Sequence, residues 1–260
     1  MSKKVKYGIL SSVLSLGFMF FVGLPYESRY YGILVGLTLT IFCYWYGLGL
    51  IFSNDFWLRL VAVTLPLIFF GGWGMFAALL GLGFWWNLIF TVFFGVVNYL
   101  IFSLENVFMV ALGFKTVPLY RAAYSMGLII LLLSSFFLFD TILSYRWSFW
   151  LNMLALGVVS VIIFAYHFWS VAIELPDDGG KIDKWPYLLV PSWLVAQLSM
   201  ALSFWPMGIF KGSIYLVVAV YLFASLIWAE VRGRLFARSW LTAAWMTGAV
   251  LLSLLLVVEW

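Results

Sequence analysis

Apolar segments of about twenty residues follow one another along this chain with only short polar breaks, at roughly 7–24, 30–52, 58–80, 84–104, 121–143, 147–173, 187–209, 212–230 and 239–258. A helix needs about 20 consecutive apolar residues to cross a bilayer, so the pattern predicts an all-α polytopic transmembrane bundle of about nine spans. The residue-by-residue alternation of a transmembrane β-barrel is absent. No break is long enough for a separate water-soluble domain of about 50 residues, so residues 1–260 are expected to form a single transmembrane helical domain. Composition agrees: 66% of residues are hydrophobic and 9% charged, far from the roughly half and quarter of soluble domains. The first segment follows Lys3, Lys4 and Lys6 as a signal sequence would. It lacks a small-x-small cleavage site and another segment follows at once, so it reads as a retained first helix.

Cationic side chains stay on the cytoplasmic side of short loops. With a cytoplasmic N-terminus, Lys3, Lys4, Lys6, Arg59, Lys115, Arg121, Lys181, Lys184, Arg232, Arg234 and Arg238 fall inside, and only Arg29, Arg146 and Lys211 outside. A missed or added span would reverse every later loop and erase that bias. The expected topology is therefore N-terminus cytoplasmic and C-terminal Trp260 outside, in a cell membrane of the bacterial inner-membrane type. The net charge of +4 reflects this topology, and no basic patch with interleaved aromatics suggests nucleic acid. The aromatic clusters at 44–46, 84–86, 147–150 and 204–206 fall near span ends and read as interfacial anchors. Cys43, the one cysteine, reads as a small buried apolar side chain.

Chemistry-bearing residues are few. The single histidine, His167, rules out a multi-histidine metal centre within one chain. The acidic pair Asp177–Asp178 lies beside Gly179 and Gly180 and reads as a solvated turn. No Walker loop, GxGxxG or CxxC motif occurs, so neither a metal nor a cofactor is expected. A candidate polar cluster remains, made of Asn98, Glu105, Asn106, Arg121, His167 and Glu174. Asn98 and Glu105 are seven residues apart, as are His167 and Glu174, so each pair shares a helical face. Polar side chains in spans face protein and often mark function, although interhelical hydrogen bonding alone also accounts for them.

Two further features bear on mechanism. The third segment carries Pro66 and then Gly71, Gly72 and Gly74. This candidate helix break would present backbone groups at mid-bilayer, as transporters do, unless the glycines serve close helix packing, as Gly32 and Gly36 also would. The fourth segment stays apolar past Glu105 to Phe114, longer than a hydrocarbon core of about 30 Å requires. It is expected to cross at 84–104, leave Glu105 at the cytoplasmic interface in contact with Arg121 directly or through water, and lay 107–114 along the membrane surface.

The stretch LENVFMVALGFKTVPLYRAAYS, with LSFWP at 202–206 and RGRLFARSW at 232–240, resembles an uncharacterised family of bacterial polytopic membrane proteins. The resemblance implies a multi-pass membrane protein and assigns no catalytic residue, cofactor or substrate. Three functional classes stay open. The first is a non-enzymatic component that binds, senses or transports a small apolar or lipid-like molecule. The others are an intramembrane enzyme acting on lipid at the cytoplasmic interface, and a structural subunit. The expected partners are membrane lipids and other membrane proteins.

Overall fold

The protein was analysed as a computed structural model, which describes residues 2–50, 56–81, 83–113, 118–173, 183–205 and 207–257. Among them the chain is all helical: α1 (Lys3–Gly23), a 3-10 turn (Tyr26–Ser28), α2 (Arg29–Leu48), α3 (Phe56–Leu80), α4 (Phe84–Gly113), α5 (Tyr120–Ser144), α6 (Phe149–Ala172), α7 (Trp185–Ser203), α8 (Ile209–Val231) and α9 (Ala237–Val257). Eight of these, α1 to α8, are long and apolar enough to cross a membrane, and α9, at 21 residues, has the length of a ninth span.

Local chemistry fixes the helix ends. Ser2 Oγ accepts the Val5 N–H at the start of α1. α2 ends on Gly49, whose φ of +74° is the left-handed geometry that glycine adopts without a Cβ clash. Pro186 stands in the first turn of α7, where its missing N–H costs no helical bond. Arg29 donates from its guanidinium to Leu24 O at 3.2 Å and Ala78 O at 2.8 Å, placing a cation on the C-terminal carbonyls of α3.

The chain divides into two compact units, Met1–Leu138 and Phe139–Trp260, with the boundary inside α5. In the first unit α1 packs on α4 and α2, and α3 packs on α2 and α4. Its core is aromatic: Phe18 stacks on Phe94 at 4.5 Å, Phe69 on Phe94 at 5.4 Å and Trp73 on Phe90 at 4.6 Å. In the second unit the closest pair is α6 with α7, followed by α8 on both and α9 on α8. Gly157 lets Ala196 approach, since a Cβ at 157 would lie 3.2 Å from the Ala196 methyl. Buried Ser160, Ser192 and Ser199 keep the same seam narrow. Mid-helix residues such as Phe20, Leu34, Ile89, Ile129, Val158 and Leu252 are exposed. A soluble monomer rarely shows so much contiguous apolar surface, whereas lipid tails solvate it.

Helix α4 departs from expectation. It continues unbroken through Glu105 to Gly113 for 30 residues, about 45 Å at 1.5 Å per residue, instead of ending at 104 and turning along the surface. Its length exceeds the hydrocarbon thickness of about 30 Å, and the excess is carried as continuous helix. Helix propensity explains the outcome, because residues 105–112 contain no glycine or proline that would favour a break.

Candidate functional site

The best-defined polar arrangement lies in the first unit, on one stripe of α4. Asn98, Phe102 and Asn106 recur every four residues, so their side chains stack along one face. The Tyr44 hydroxyl from α2 donates to Asn98, 3.0 Å from Oδ1 and 3.2 Å from its backbone carbonyl oxygen. Asn98 Nδ2 donates to Phe94 O at 2.9 Å. The Tyr44 ring lies flat on Phe102 at 3.9 Å and 7°, and the Tyr7 ring from α1 is parallel to Phe102 at 5.4 Å. Tyr7 donates its hydroxyl to Asn106 Oδ1 at 3.0 Å, where Lys3 Nζ also donates at 3.0 Å. Gly47 makes room for this stack, since a Cβ there would meet the Phe102 ring at 2.6 Å. The asparagines thus hold α1 and α2 on α4 through satisfied hydrogen bonds.

Glu105, one residue before Asn106, is fully buried. Arg121 at the start of α5 is exposed, and no ion pair joins the two. At the α1 start, Lys6 donates to Tyr46 O on α2 at 2.7 Å and lies over the Tyr46 ring at 4.2 Å. This is the lysine-rich end of the chain.

His167 is buried in α6 of the second unit and its Nε2 lies 2.9 Å from Ala224 O on α8. With the proton on Nε2 the imidazole donates to that carbonyl as an interhelical tie. Glu174 and the Asp177–Asp178 pair lie outside the described residues, as does Lys115. Among the described residues no three metal-ligating side chains gather.

The third helix shows no break. α3 is helical without interruption from Phe56 to Leu80, with Pro66 inside it. Two of the three glycines, Gly72 and Gly74, have a packing role instead. A Cβ at Gly72 would lie 2.8 Å from the Ser134 backbone oxygen on α5, whereas one at Gly71 would meet only Leu138 at 3.8 Å. A Cβ at Gly74 would contact Phe21 at 3.3 Å. Gly32 and Gly36 likewise receive aromatic rings, those of Phe21 and Phe70. Pro66 leaves Ala62 O without its intrahelical N–H donor, but the helix continues through it.

Sequence reasoning missed Tyr7, Tyr44 and Phe102. Tyr44 belongs to the cluster at 44–46 read as anchors, and within it only Tyr46 is exposed; Tyr44 is completely buried and Trp45 donates to Arg59 O at 3.2 Å. The clusters at 84–86 and 147–150 do present exposed rings, including Trp85, Trp86, Trp147 and Trp150.

Concave surface is found in the second unit. One groove of about 640 Å³ runs between α6 and α7, lined by Met153, Val158, Val161, Val190 and Leu194 among others. A second, of about 530 Å³, lies between α7, α8 and α9, with Val190 and Leu194 again in its wall and Tyr187, Glu230 and Trp240 around it. Both are apolar along most of their length, and polar groups enter the second at Tyr187 and Glu230. Such walls can hold alkyl chains. No protein-family profile, curated protein or solved structure matches the chain.

Proposed function

We propose that the protein is a non-enzymatic membrane component that binds a lipid-like amphiphile, holding its alkyl part against α7. The observation that carries this reading is the pair of apolar grooves flanking α7, which share Val190 and Leu194. In a bilayer, burying an alkyl chain gains nothing from leaving water, so retention depends on dispersion contact and shape. A groove between two helices wraps a chain on more than one side, which a flat lipid-facing helix cannot do. Tyr187 and Glu230 in the second groove offer a hydroxyl and a carboxylate to the polar end of the same molecule.

Transport has less support, because the helix interruption that would favour it is a continuous, closely packed helix. The lipid-enzyme alternative draws on Glu105, Arg121, His167 and Glu174; Glu105 and His167 are buried and Arg121 is exposed, whereas the α7 grooves offer apolar walls directly. The orientation read from the basic residues places the lysine-rich end of α1 in the cytoplasm of a cell of the bacterial type.

The test is native mass spectrometry of the protein released from nanodiscs, comparing wild type with Leu194→Trp. Leu194 faces outward, so the variant should fold while its indole fills the wall common to both grooves. Wild type is expected to carry a stoichiometric amphiphile that the variant has lost. Identical lipid complements in both proteins would remove the proposal.

A further inference from the structure

The groove between α7, α8 and α9 is graded along its length. Its polar residues gather at one end of the unit, with Tyr187 in the first turn of α7, Glu230 in the last turn of α8 and Trp240 in the first turn of α9. From there the walls turn apolar: Val190 and Leu194 follow Tyr187 along α7, and Ile227 and Phe223 precede Glu230 along α8. Each set recurs every three or four residues and so descends one helix face. Seven residues of helix carry both apolar walls about 10 Å from the polar end. A molecule that fills this shape has a small polar head in line with an alkyl body.

The polar end carries a negative charge that the described residues do not neutralise. The Glu230 carboxylate and the Tyr187 hydroxyl make no hydrogen bond or ion pair among them, although the two are near enough to interact electrostatically. No described residue lining the groove is cationic. Of the basic residues adjoining this end in sequence, Arg232 lies over the Trp228 ring at 4.7 Å and Lys184 over the Trp185 ring at 5.7 Å, and neither ring belongs to the described groove wall.

Both polar groups stand on fixed supports. Gly233 adopts a φ of 61°, and the turn it makes lets Arg234 N–H donate to Ala229 O and Gly233 N–H donate to Glu230 O, each at 2.8 Å, which closes the end of α8. That carbonyl end of the helix adds its partial negative charge to the carboxylate. The Tyr187 ring rests on Phe168 of α6 at 5.5 Å and 20°.

Resting on the reading that this groove holds an amphiphile, we propose that its occupant is a membrane lipid whose headgroup ends in a primary ammonium, of the phosphoethanolamine type. The ammonium donates to the Glu230 carboxylate and to the Tyr187 hydroxyl, bonds strengthened by its charge, and Trp240 offers an aromatic ring to the same cation. The acyl chain descends between Val190 and Leu194 on one side and Ile227 and Phe223 on the other. A trimethylammonium headgroup has no N–H to give these acceptors. A glycerol headgroup would bring its phosphate toward Glu230 with no cation to compensate, so the same carboxylate selects against it.

The experiment uses the full chain in nanodiscs made of equal parts phosphatidylethanolamine, phosphatidylcholine and phosphatidylglycerol with identical acyl chains, and reads the retained lipids by native mass spectrometry. Wild type should retain phosphatidylethanolamine in excess of its share of the bilayer. Glu230 is exposed and Tyr187 half-buried, so variants at both should keep a melting transition. Glu230→Gln should lower the enrichment by about tenfold, the effect of losing one hydrogen bond to a charged group, and Tyr187→Phe should lower it less. Glu27→Gln removes an exposed carboxylate in the first unit and should keep the enrichment; a loss there equal to that in Glu230→Gln would reduce the effect to general surface charge and overturn the proposal. Lipid retained by wild type without headgroup enrichment, or an enrichment that survives both Glu230→Gln and Tyr187→Phe, would overturn it while the amphiphile reading stands. Wild type that retains no lipid would remove the amphiphile reading and this proposal with it.

Discussion

The Tyr44 hydroxyl is shared between the side-chain and backbone oxygens of Asn98, at 3.0 and 3.2 Å, with both residues wholly buried. Neither residue meets water or lipid, so the hydroxyl and the carboxamide depend on each other. Tyr44→Phe should lower stability by about 1 kcal/mol, the scale of an interhelical hydrogen bond in membrane proteins. Adding Asn98→Leu should cost less than the sum of the single losses, because removing both polar partners leaves no unmatched acceptor. Thermal unfolding in detergent measures the cycle, and strict additivity would show that the bond contributes nothing.

Adjacent glycines in α3 should behave differently. At Gly72 an added methyl points at the Ser134 backbone oxygen, 2.8 Å away, and neither backbone can yield without moving a helix. Gly72→Ala should cost about 1–3 kcal/mol as an overpacked contact. Gly71→Ala meets Leu138 at an ordinary 3.8 Å and should stay within about 0.5 kcal/mol of wild type. Equal tolerance at both positions would refute the close approach of α3 and α5.

Much of the architecture was legible because apolar length alone dictates a span. The segments expected at 58–80 and 121–143 are the helices Phe56–Leu80 and Tyr120–Ser144. What could not be read was which face of each helix points inward. In water a core-facing stripe stands out against polar residues, but in a bilayer both faces are apolar and the helical period fades. Tyr44 and Tyr46 illustrate the loss: similar neighbours in sequence, one fully buried and the other exposed.

His167 should tolerate replacement by a residue that keeps a donor at the same reach. His167→Gln can direct its amide N–H to Ala224 O, whereas His167→Leu removes the bond seen at 2.9 Å. The leucine variant is expected to lose about 0.6–1.7 kcal/mol, with glutamine retaining most of the wild-type stability. Amphiphile retention should be unchanged in folded His167→Gln. Loss of retention in that protein, with its melting transition intact, would assign the histidine a role beyond tying α6 to α8.

The orientation read from the basic residues can be checked by cysteine labelling after Cys43→Ala, a buried site where the smaller side chain removes the background thiol. Ser2 and Tyr145 are both exposed, the latter in the α5–α6 turn. A membrane-impermeant reagent added to intact cells should label Tyr145→Cys and spare Ser2→Cys. The opposite pattern would invert the topology.

Glu105 and Arg121 should prove energetically independent. The expectation of a contact supposed that α4 would stop near 104 and bring the chain back beside its own carboxylate. Instead α4 continues to Gly113, leaving Glu105 buried and Arg121 exposed. At the next residue, Asn106, the contacts come from α1, where Tyr7 and Lys3 both donate to its Oδ1. In a cycle of Glu105→Gln, Arg121→Gln and the double variant, the losses should add within about 0.3–0.5 kcal/mol, as they do for separated sites. Tyr7→Phe with Asn106→Leu provides the contrast in the same detergent, and this pair should couple by about 0.6 kcal/mol or more. If the carboxylate and guanidinium couple while Tyr7 and Asn106 do not, α1 is not the element that secures this end of α4, and the chain after Gly113 must fold back onto Glu105.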